Sequence, residues 1–420
     1  MINKIEIEGF KSLKKVKLKL GKFNLFIGTN ASGKSNFFDA LRVLQGIGYG
    51  YTFDEILNGK PKSATSEVWE GIRGGSEKAS FISKGNSLPK LKKDKILLSV
   101  GMRLPAEAPI HFRERITYVD CNYSIAFSSK KKVVCKEEFL YDRKSVFKSE
   151  EFDYKTIKVS YCGSRREGRT QLKFARSLPI LHQLLKDKDL NNKIISSTHR
   201  NSAYHAQLTL IDIQRFDPLL SILRTYSKSA YAKRMGDHGE NFAALVNTII
   251  SDEYTKSAYL SWLKQLTPTE LDDVTVLSGA LGEPMFATVE RGVKYPAPIL
   301  SDGTLRFAAI TAAFFQPDMP HIITIEEIEN GIHPSRLRLL VELLKTRSSE
   351  RCQVIATTHS PLVLQWLKKE DYETTFICKR DEETGASTIT PLSEIPRLLE
   401  IIDKQSLGDL FTEGWLEDAL

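Results

Sequence analysis

Gly28-Thr-Asn-Ala-Ser-Gly33-Lys34-Ser35 is the stretch of sequence that decides the fold of this chain. It fits the pattern G-x-x-x-x-G-K-[ST]. The apolar run Phe23 to Ile27 precedes it and predicts a buried strand, and Asn36 to Gln45 follows it with apolar residues at helical spacing. A strand, a glycine-rich loop and a helix in this order are the context that a phosphate-binding loop requires. We therefore predict an α/β fold built around this loop.

The residue types in the loop suit the phosphates of a nucleotide. Glycines allow backbone N–H groups to point at phosphate oxygens, a lysine brings charge to the β and γ phosphates, and a serine hydroxyl is a ligand for Mg²⁺. The last two roles fall to Lys34 and Ser35. The predicted nucleotide-binding residues here are Gly28, Asn30, Ala31, Ser32, Gly33, Lys34, Ser35 and Asn36.

The composition is that of a globular protein large enough for two lobes. Its 420 residues are 41% hydrophobic and 27% charged, near the averages of folded domains. The five cysteines form no Cys-x-x-Cys pair, which indicates reduced thiols in a cytoplasmic protein rather than a disulfide framework or a zinc site. The N-terminus has no apolar signal region, and no window is apolar enough to span a membrane. We expect neither secretion nor membrane insertion.

The charge balance is basic, with 60 Lys and Arg residues against 52 Asp and Glu residues and a net charge of +8. Such a balance is compatible with DNA or RNA as a partner, and equally with Lys-rich loops that only keep the surface solvated. The Lys-rich stretches Lys90 to Lys95 and Lys130 to Lys136 are the candidate nucleic-acid contacts. The sequence leaves both interpretations open.

Hydrophobic periodicity divides the chain into a core and an insertion. Alternating residues predict a strand pair at the N-terminus and then an antiparallel sheet beside the nucleotide core. The strands of that sheet are predicted at Lys95 to Arg103, Arg115 to Phe127 and Lys132 to Cys135. Residues 176–269 have helical periodicity without sustained heptads, which predicts a helical insertion lobe. Strands and helices alternate again in the last third, so residues 1–175 and 270–420 are predicted to form one mixed-sheet core.

Two adjacent carboxylates end a predicted strand of this core. The apolar run Ile322 to Ile325 leads directly into Glu326 and Glu327. One carboxylate at this position suits Mg²⁺, and the next suits the activation of a water molecule. Taken alone, the pair fits two solvated acids at a strand end equally well.

Two further motifs lie at predicted strand or loop ends. Ser301-Asp-Gly303 precedes a helix, so it forms either a second anion site or an ordinary N-cap. His359 follows a predicted strand, at the edge where open α/β sheets collect their ligand sites. A lone histidine is more often structural than functional, so the order and context of all the motifs must decide.

In that order, the motifs resemble those of ABC-type ATPases. Ser301-Asp-Gly303 resembles the signature motif, Glu326 and Glu327 the Walker B acid and the catalytic base, and His359 the switch histidine. The signature lies more than 260 residues after the phosphate-binding loop, which separates the chain from transporter ATPases. It looks instead like the RecF/SMC-like and overcoming-lysogenization-defect-like group, whose members resemble Ile5-Glu-Ile-Glu-Gly-Phe10-Lys-Ser12 at the start and Ile325-Glu-Glu-Ile-Glu329-Asn-Gly-Ile-His333-Pro334 at Walker B. The one departure noted is Ile328, where relatives usually carry proline.

The resemblance implies a function and a mechanism. It implies an ABC-ATPase head with a P-loop NTPase fold that binds ATP and Mg²⁺ in a homodimer or a higher even oligomer. Ser301 and Gly303 of one copy are then expected to complete the ATP site of the other, with Ser35 and Glu326 at the metal and Glu327 and His359 as catalytic residues. The expected role is the gating of a separate effector, a nuclease or a toxin, in phage defence. The alternative is a DNA-repair or chromosome-associated ATPase that clamps DNA.

Overall fold

A computed structural model of the chain describes residues 1–61, 68–82, 94–105, 118–161, 171–186, 196–266, 271–402 and 404–419. Several sequence predictions fall partly or wholly outside these ranges. They concern Cys162, residues 115–117 of a predicted strand, residues 90–93 of a Lys-rich stretch, and residues 187–195 and 267–269 of the predicted lobe.

Strands and helices alternate along the chain. The strands are β1 (Ile2–Phe10), β2 (Leu13–Lys19), β3 (Phe23–Ile27), β4 (Lys95–Pro105), β5 (Tyr118–Ser128), β6 (Val133–Tyr141), β7 (Lys144–Glu151), β8 (Thr156–Tyr161), β9 (Gln171–Ala175), β10 (Ile213–Phe216), β11 (Leu271–Ser278), β12 (Pro284–Glu290), β13 (Val293–Pro296), β14 (Ile322–Ile325), β15 (Gln353–Thr358), β16 (Thr375–Arg380) and β17 (Ser387–Pro391). The helices are α1 (Lys34–Tyr49), α2 (Phe53–Asn58), α3 (Ile180–Lys186), α4 (Ser197–Ile211), α5 (Leu220–Leu223), α6 (Phe242–Ile250), α7 (Glu253–Leu266), α8 (Asp302–Ala313), α9 (Pro334–Arg347), α10 (Pro361–Leu364), α11 (Leu398–Ile401), α12 (Leu407–Thr412) and α13 (Trp415–Asp418).

The central sheet is mixed and carries the phosphate-binding loop on an inner strand. Its order is β10-β14-β15-β3-β16-β17, with parallel neighbours except for the antiparallel pair β16 and β17. All five residues of β3 are buried. Phe26 packs into one hydrophobic cluster, whereas Leu25 and Ile27 pack into the other, so the sheet is covered on both faces. This two-sided burial explains why β3 reads as a continuous apolar run.

The second sheet is antiparallel and larger than the sequence predicts. It contains eight strands in the order β2-β1-β4-β5-β6-β7-β8-β9. The prediction of a flanking antiparallel sheet is confirmed, but the predicted strand Lys132 to Cys135 runs on to Tyr141. The strands β7, β8 and β9 were missed. Their outward positions are rich in lysine and glutamate, while their buried positions hold apolar residues such as Ile157, Val159 and Phe174.

The region predicted as a helical lobe also contributes to the central sheet. Within it, α3, α4, α6 and α7 are helical as expected, while β10 pairs in parallel with β14 over four residues. This strand is only four residues long and directly follows α4, so its sequence is too short to show the hydrophobic periodicity of a strand. A third, small sheet has the order β11-β12-β13. The division of the chain into a core of residues 1–175 and 270–420 and a lobe of residues 176–269 stays a prediction.

Candidate nucleotide site

The loop between β3 and α1 has the backbone shape of an anion cradle. Gly33 stands at the N-terminus of α1 with φ 111°, a conformation that residues with a side chain rarely adopt. A Cβ atom on Gly33 would also lie 2.7 Å from Cβ of Ser387, so both the torsion and the packing require glycine. Ala31 has a positive φ of 66° as well. The unpaired N–H groups at the start of α1 therefore face the concave side of the loop, where the helix dipole favours a phosphate.

Lys34 is folded into this cradle. Its Nζ donates hydrogen bonds to the carbonyl oxygens of Gly28 at 2.7 Å and Thr29 at 2.9 Å, and to Oγ of Ser32 at 3.3 Å. Burial lowers the pKa of Lys34 below its usual value. Nζ also lies 3.3 Å from Nδ1 of His359. Phosphate oxygens would offer this ammonium charged acceptors in place of the carbonyl and hydroxyl oxygens.

Ser35 and Glu326 converge from opposite sides of the cleft. Oγ of Ser35 donates to Oε2 of Glu326 at 3.0 Å. Adjacent ligands of an octahedral Mg²⁺ stand about 2.9 Å apart, because each metal–oxygen distance is about 2.05 Å. Both are hard oxygen donors, and Oε1 of Glu326 is buried without a hydrogen-bond donor, so the residues present fit Mg²⁺. Serine and the first carboxylate lie where the sequence predicts a metal site.

Two arginines that the sequence predictions did not include flank Glu326. Nη2 of Arg215, on β10, lies 3.3 Å from Oε1 of Glu326, an ion pair rather than a well-aligned hydrogen bond. Nη1 of Arg73 lies 3.7 Å from Oε2, and its Nη2 donates to the carbonyl oxygen of Ser35. Asp39 of α1 pairs with Arg73 and with Lys11, which holds the loop that carries Arg73 against the start of the helix.

Glu327 occupies a strained position that aims its carboxylate into the cleft. Its φ of 49° is left-handed, which is unusual for a residue with a side chain and common at functional sites. The backbone N–H of Glu327 donates to Oγ1 of Thr357 at 2.9 Å, and Nδ2 of Asn330 donates to Oε2 of Glu327 at 2.6 Å. The Asn330 hydrogen bond, assisted by His359 and Lys34, lowers the pKa of Glu327 despite partial burial. The carboxylate is thus ionised at neutral pH and able to accept a proton.

His359 joins the phosphate-binding loop to Glu327. Its Nδ1 lies 2.9 Å from the carbonyl oxygen of Gly28, and its Nε2 lies 3.2 Å from Oε1 of Glu327. The backbone N–H of His359 donates to Oε1 of Glu329 at 2.5 Å. The imidazole therefore lies beside the region where a γ-phosphate and its attacking water would sit.

Most of the predicted residues surround one cleft of about 250 Å³. The cleft is lined by Asn30, Ala31, Ser32, Gly33, Lys34, Ser35, Asn36, Glu326, Glu327, Thr357, His359 and Arg380. Arg380 ends β16, which pairs with β3, so the rule that ligands gather at the carboxyl ends of parallel strands points to it. The same rule points to Arg215 only once β10 is known to be a strand of this sheet. Arg73 is flanked by Gly71, Gly74 and Gly75, which signal a loop but not its position.

Ser301 and Gly303 are not among the residues that line this cleft. Ser301 is exposed and caps α8, where its Oγ accepts a hydrogen bond from the N–H of Thr304 at 3.2 Å. Gly303 packs against the carbonyl oxygen of Gly331, since a Cβ atom there would lie 2.8 Å from it. Within one chain, the signature-like motif is therefore an exposed, capped helix end that does not line the cleft of the phosphate-binding loop.

Comparison with known proteins adds the following similarities. A family model described as "AAA domain, putative AbiEii toxin, Type IV TA system" matches residues 23–365. A curated protein of Helicobacter pylori named "ATP/GTP phosphatase" is 22% identical over 403 residues, covering 91% of this chain and 93% of that protein. A solved Smc head bound to the C-winged helix domain of ScpA aligns with a TM-score of 0.51 and 14% identity, covering 95% of this chain and 99% of that one. The fold is therefore that of an ABC-ATPase head. In the part of the chain that the structure describes, no helix is both long and apolar enough to cross a membrane.

Proposed function

We propose that this chain, which belongs to the family described as AAA domain, putative AbiEii toxin, Type IV TA system, binds ATP between two of its copies and gates a separate effector. The chain is an ATPase: its family, its relative named as a phosphatase of ATP and GTP, and its ABC-ATPase fold agree on this activity. The roles of individual residues, the dimer and the effector form the proposal. A place in the RecF/SMC-like, overcoming-lysogenization-defect-like group is part of the same proposal.

We give each residue of the cleft a task. Backbone N–H groups of the loop and Lys34 hold the β and γ phosphates. Ser35 and Glu326 would hold Mg²⁺, which would supply charge neutralisation at the phosphates when bound. Glu327 orients a water molecule and takes its proton as the water oxygen bonds to the γ-phosphorus and the bond to ADP breaks. His359 steadies Glu327 and the γ-phosphate.

One observation supports the proposed dimer: the exposed start of α8 lies outside the chain's own cleft. A helix N-terminus with a serine cap favours an anion, and its counterpart here is the γ-phosphate held by a second copy. Ser301 and the N–H groups near Gly303 then contact the γ-phosphate only in the closed dimer. Hydrolysis removes those contacts, so the equilibrium then no longer favours the closed dimer.

The dimer is tested with a variant that binds ATP without hydrolysing it. Glu327→Gln keeps the size of the side chain but removes the base, so light scattering with ATP and Mg²⁺ should show a doubling of the 47.5 kDa mass. The matched control is the double variant Glu327→Gln with Ser301→Asp. Aspartate caps a helix as well as serine does, so α8 keeps its stability, but its charge repels the γ-phosphate. This control should bind ATP and stay monomeric. A monomeric Glu327→Gln protein that has bound ATP would contradict the dimer.

The description of the family supports a separate effector, because it names a toxin and a toxin–antitoxin system. We infer a role in phage defence in which the ATP-bound dimer restrains or releases a nuclease or toxin encoded separately. The test is copurification of the tagged chain expressed from its native operon, with and without Glu327→Gln. A stoichiometric protein partner whose retention changes with the variant supports gating. If the tagged chain instead copurifies with nucleic acid and without a protein partner, it is a DNA-handling ATPase.

A further inference from the structure

Two exposed aromatic rings lie at the turn between β7 and β8, far along the antiparallel sheet from the nucleotide cleft. Phe152 is 49% exposed and Tyr154 is 78% exposed. Isolated exposed aromatic residues are common, but here one short turn carries two partly exposed rings within three positions. Planar faces of this kind are what unpaired nucleic-acid bases stack on.

The turn that carries the rings is rigidly held. The carboxylate of Asp153 accepts hydrogen bonds from the N–H groups of Lys155 at 2.7 Å and Thr156 at 2.6 Å, and from the Thr156 hydroxyl at 2.5 Å. Buried Arg176 donates to the carbonyl oxygen of Asp153 at 2.7 Å and to that of Val134 at 2.9 Å. The rings are therefore presented on an ordered hairpin, so a ligand has little loop ordering to impose.

Three lysines surround the rings. Nζ of Lys173 lies 4.2 Å from the centre of the Phe152 ring and Nζ of Lys158 lies 5.9 Å from it, while Nζ of Lys155 lies 5.3 Å from the centre of the Tyr154 ring. Lys158 and Lys173 are also direct cross-strand partners on β8 and β9. Like charges in that register destabilise a sheet, and an anion lying over the pair would relieve the repulsion.

Acidic residues also lie near this cluster. Glu151 pairs with Lys95 and Arg176. The carboxylate of Asp153 keeps its charge, which acts on Lys173, while its hydrogen bonds are made within its own turn. Glu150 faces Lys158 across the strands, yet among the described residues no ion pair within 4.0 Å joins them. The three lysines thus have no direct ion-pair partner in the described part of the chain, although carboxylates stand close to them.

We propose that this turn, formed by Phe152 and Tyr154 with Lys155, Lys158 and Lys173, is a binding platform for single-stranded DNA or RNA. The bases stack on the two rings, and the phosphates pair with the three lysines. The platform is independent of the nucleotide cleft, so it neither requires nor contradicts the ATP-dependent dimer. It reads no sequence, because every base offers a flat face to a ring.

The test measures binding of fluorescein-labelled oligothymidylate and oligouridylate, about 20 nucleotides long, to the intact chain by anisotropy. Each of Phe152→Ala and Tyr154→Ala should weaken binding by about 5- to 150-fold. Phe152→Trp, which keeps an aromatic ring at this position, should bind as the parent does. Removing the three lysines together should reduce the slope of log affinity against log salt by about 2, since each phosphate contact on a single strand contributes about 0.7. Tyr254→Ala, at an 85% exposed ring on α7, and the pair Lys294→Ala with Lys404→Ala are controls that should bind as the parent does.

Several outcomes would overturn the platform. No measurable binding of either oligonucleotide to the parent chain is one. Equal binding by the parent and the two ring variants is another, because it would leave only a general anion patch. Inorganic polyphosphate that competes as well as the oligonucleotides, or a duplex that binds more tightly than either strand, would also refute stacking. Each variant must melt at the same temperature as the parent chain. We expect this because the substituted side chains are exposed.

Discussion

Replacing Glu137 by Gln should make the stability of this protein less dependent on pH. Glu137 lies on β6 and is completely buried. Its two carboxyl oxygens accept hydrogen bonds from the N–H groups of Ile180 at 2.7 Å and Leu181 at 2.8 Å and from the hydroxyl of Tyr123 at 2.9 Å. The side chain therefore caps the start of α3 and joins it to the antiparallel sheet.

The magnitude follows from the pKa of this carboxyl. Burial raises the pKa of Glu137 from 4.5 to about 7, because the loss of hydration outweighs the three hydrogen bonds that favour the charged form. A raised carboxyl pKa means that the folded state holds its proton where the unfolded state has lost it. The resulting stabilisation is complete below the unfolded pKa of 4.5 and is lost as pH rises through about 7. A difference of about 2.5 units corresponds to roughly 3 kcal/mol.

The assay is urea unfolding of the parent and of Glu137→Gln, followed by intrinsic fluorescence between pH 5 and 8.5. The free energy of unfolding of the parent minus that of the variant should fall by roughly 2.5 kcal/mol over this range, because part of the full change occurs below pH 5. Subtracting the two removes every titration that they share. Glu138→Gln, one position along the same strand with its side chain on the other face, is the matched control for the change of side chain. A flat difference for Glu137→Gln, or one that rises with pH, would refute the reasoning.

Two predictions concern the nucleotide cleft. Lys34→Ala should weaken ATP binding by about 10- to 150-fold, the equivalent of a hydrogen bond to a charged group, whereas Lys22→Ala at an exposed lysine should not; calorimetric titration measures both. His359→Ala should lower ATP turnover by about 10²- to 10⁴-fold while ATP affinity changes little, because the imidazole positions Glu327 more than it holds the nucleotide. Phosphate release together with an affinity measurement separates these effects, and a loss confined to affinity would contradict the role given to His359.

The sequence by itself determined the parts of this protein whose chemistry is local. The phosphate-binding loop can be predicted from the sequence because its glycines, its lysine and its serine lie within one short stretch. The predicted bounds of β3 and β14 match the structure to the residue, since each is a short, mainly apolar strand buried on both faces. The same holds for Glu326, Glu327 and His359, which follow such strands directly. The resemblance to ABC-type ATPases then supplied the order in which these pieces work.

Only the tertiary structure decided which residues lie next to these local motifs. Arg73 and Arg215 reach Glu326 from 253 and 111 positions away in the chain, through a loop and a strand that have no periodicity of their own. The left-handed torsion of Glu327 and the exposure of Ser301 outside the chain's own cleft are likewise invisible in the residue order. Sequence patterns report what a residue does with its neighbours along the chain. Which charges meet across a sheet depends on strand pairing, and that is settled only when the whole core packs.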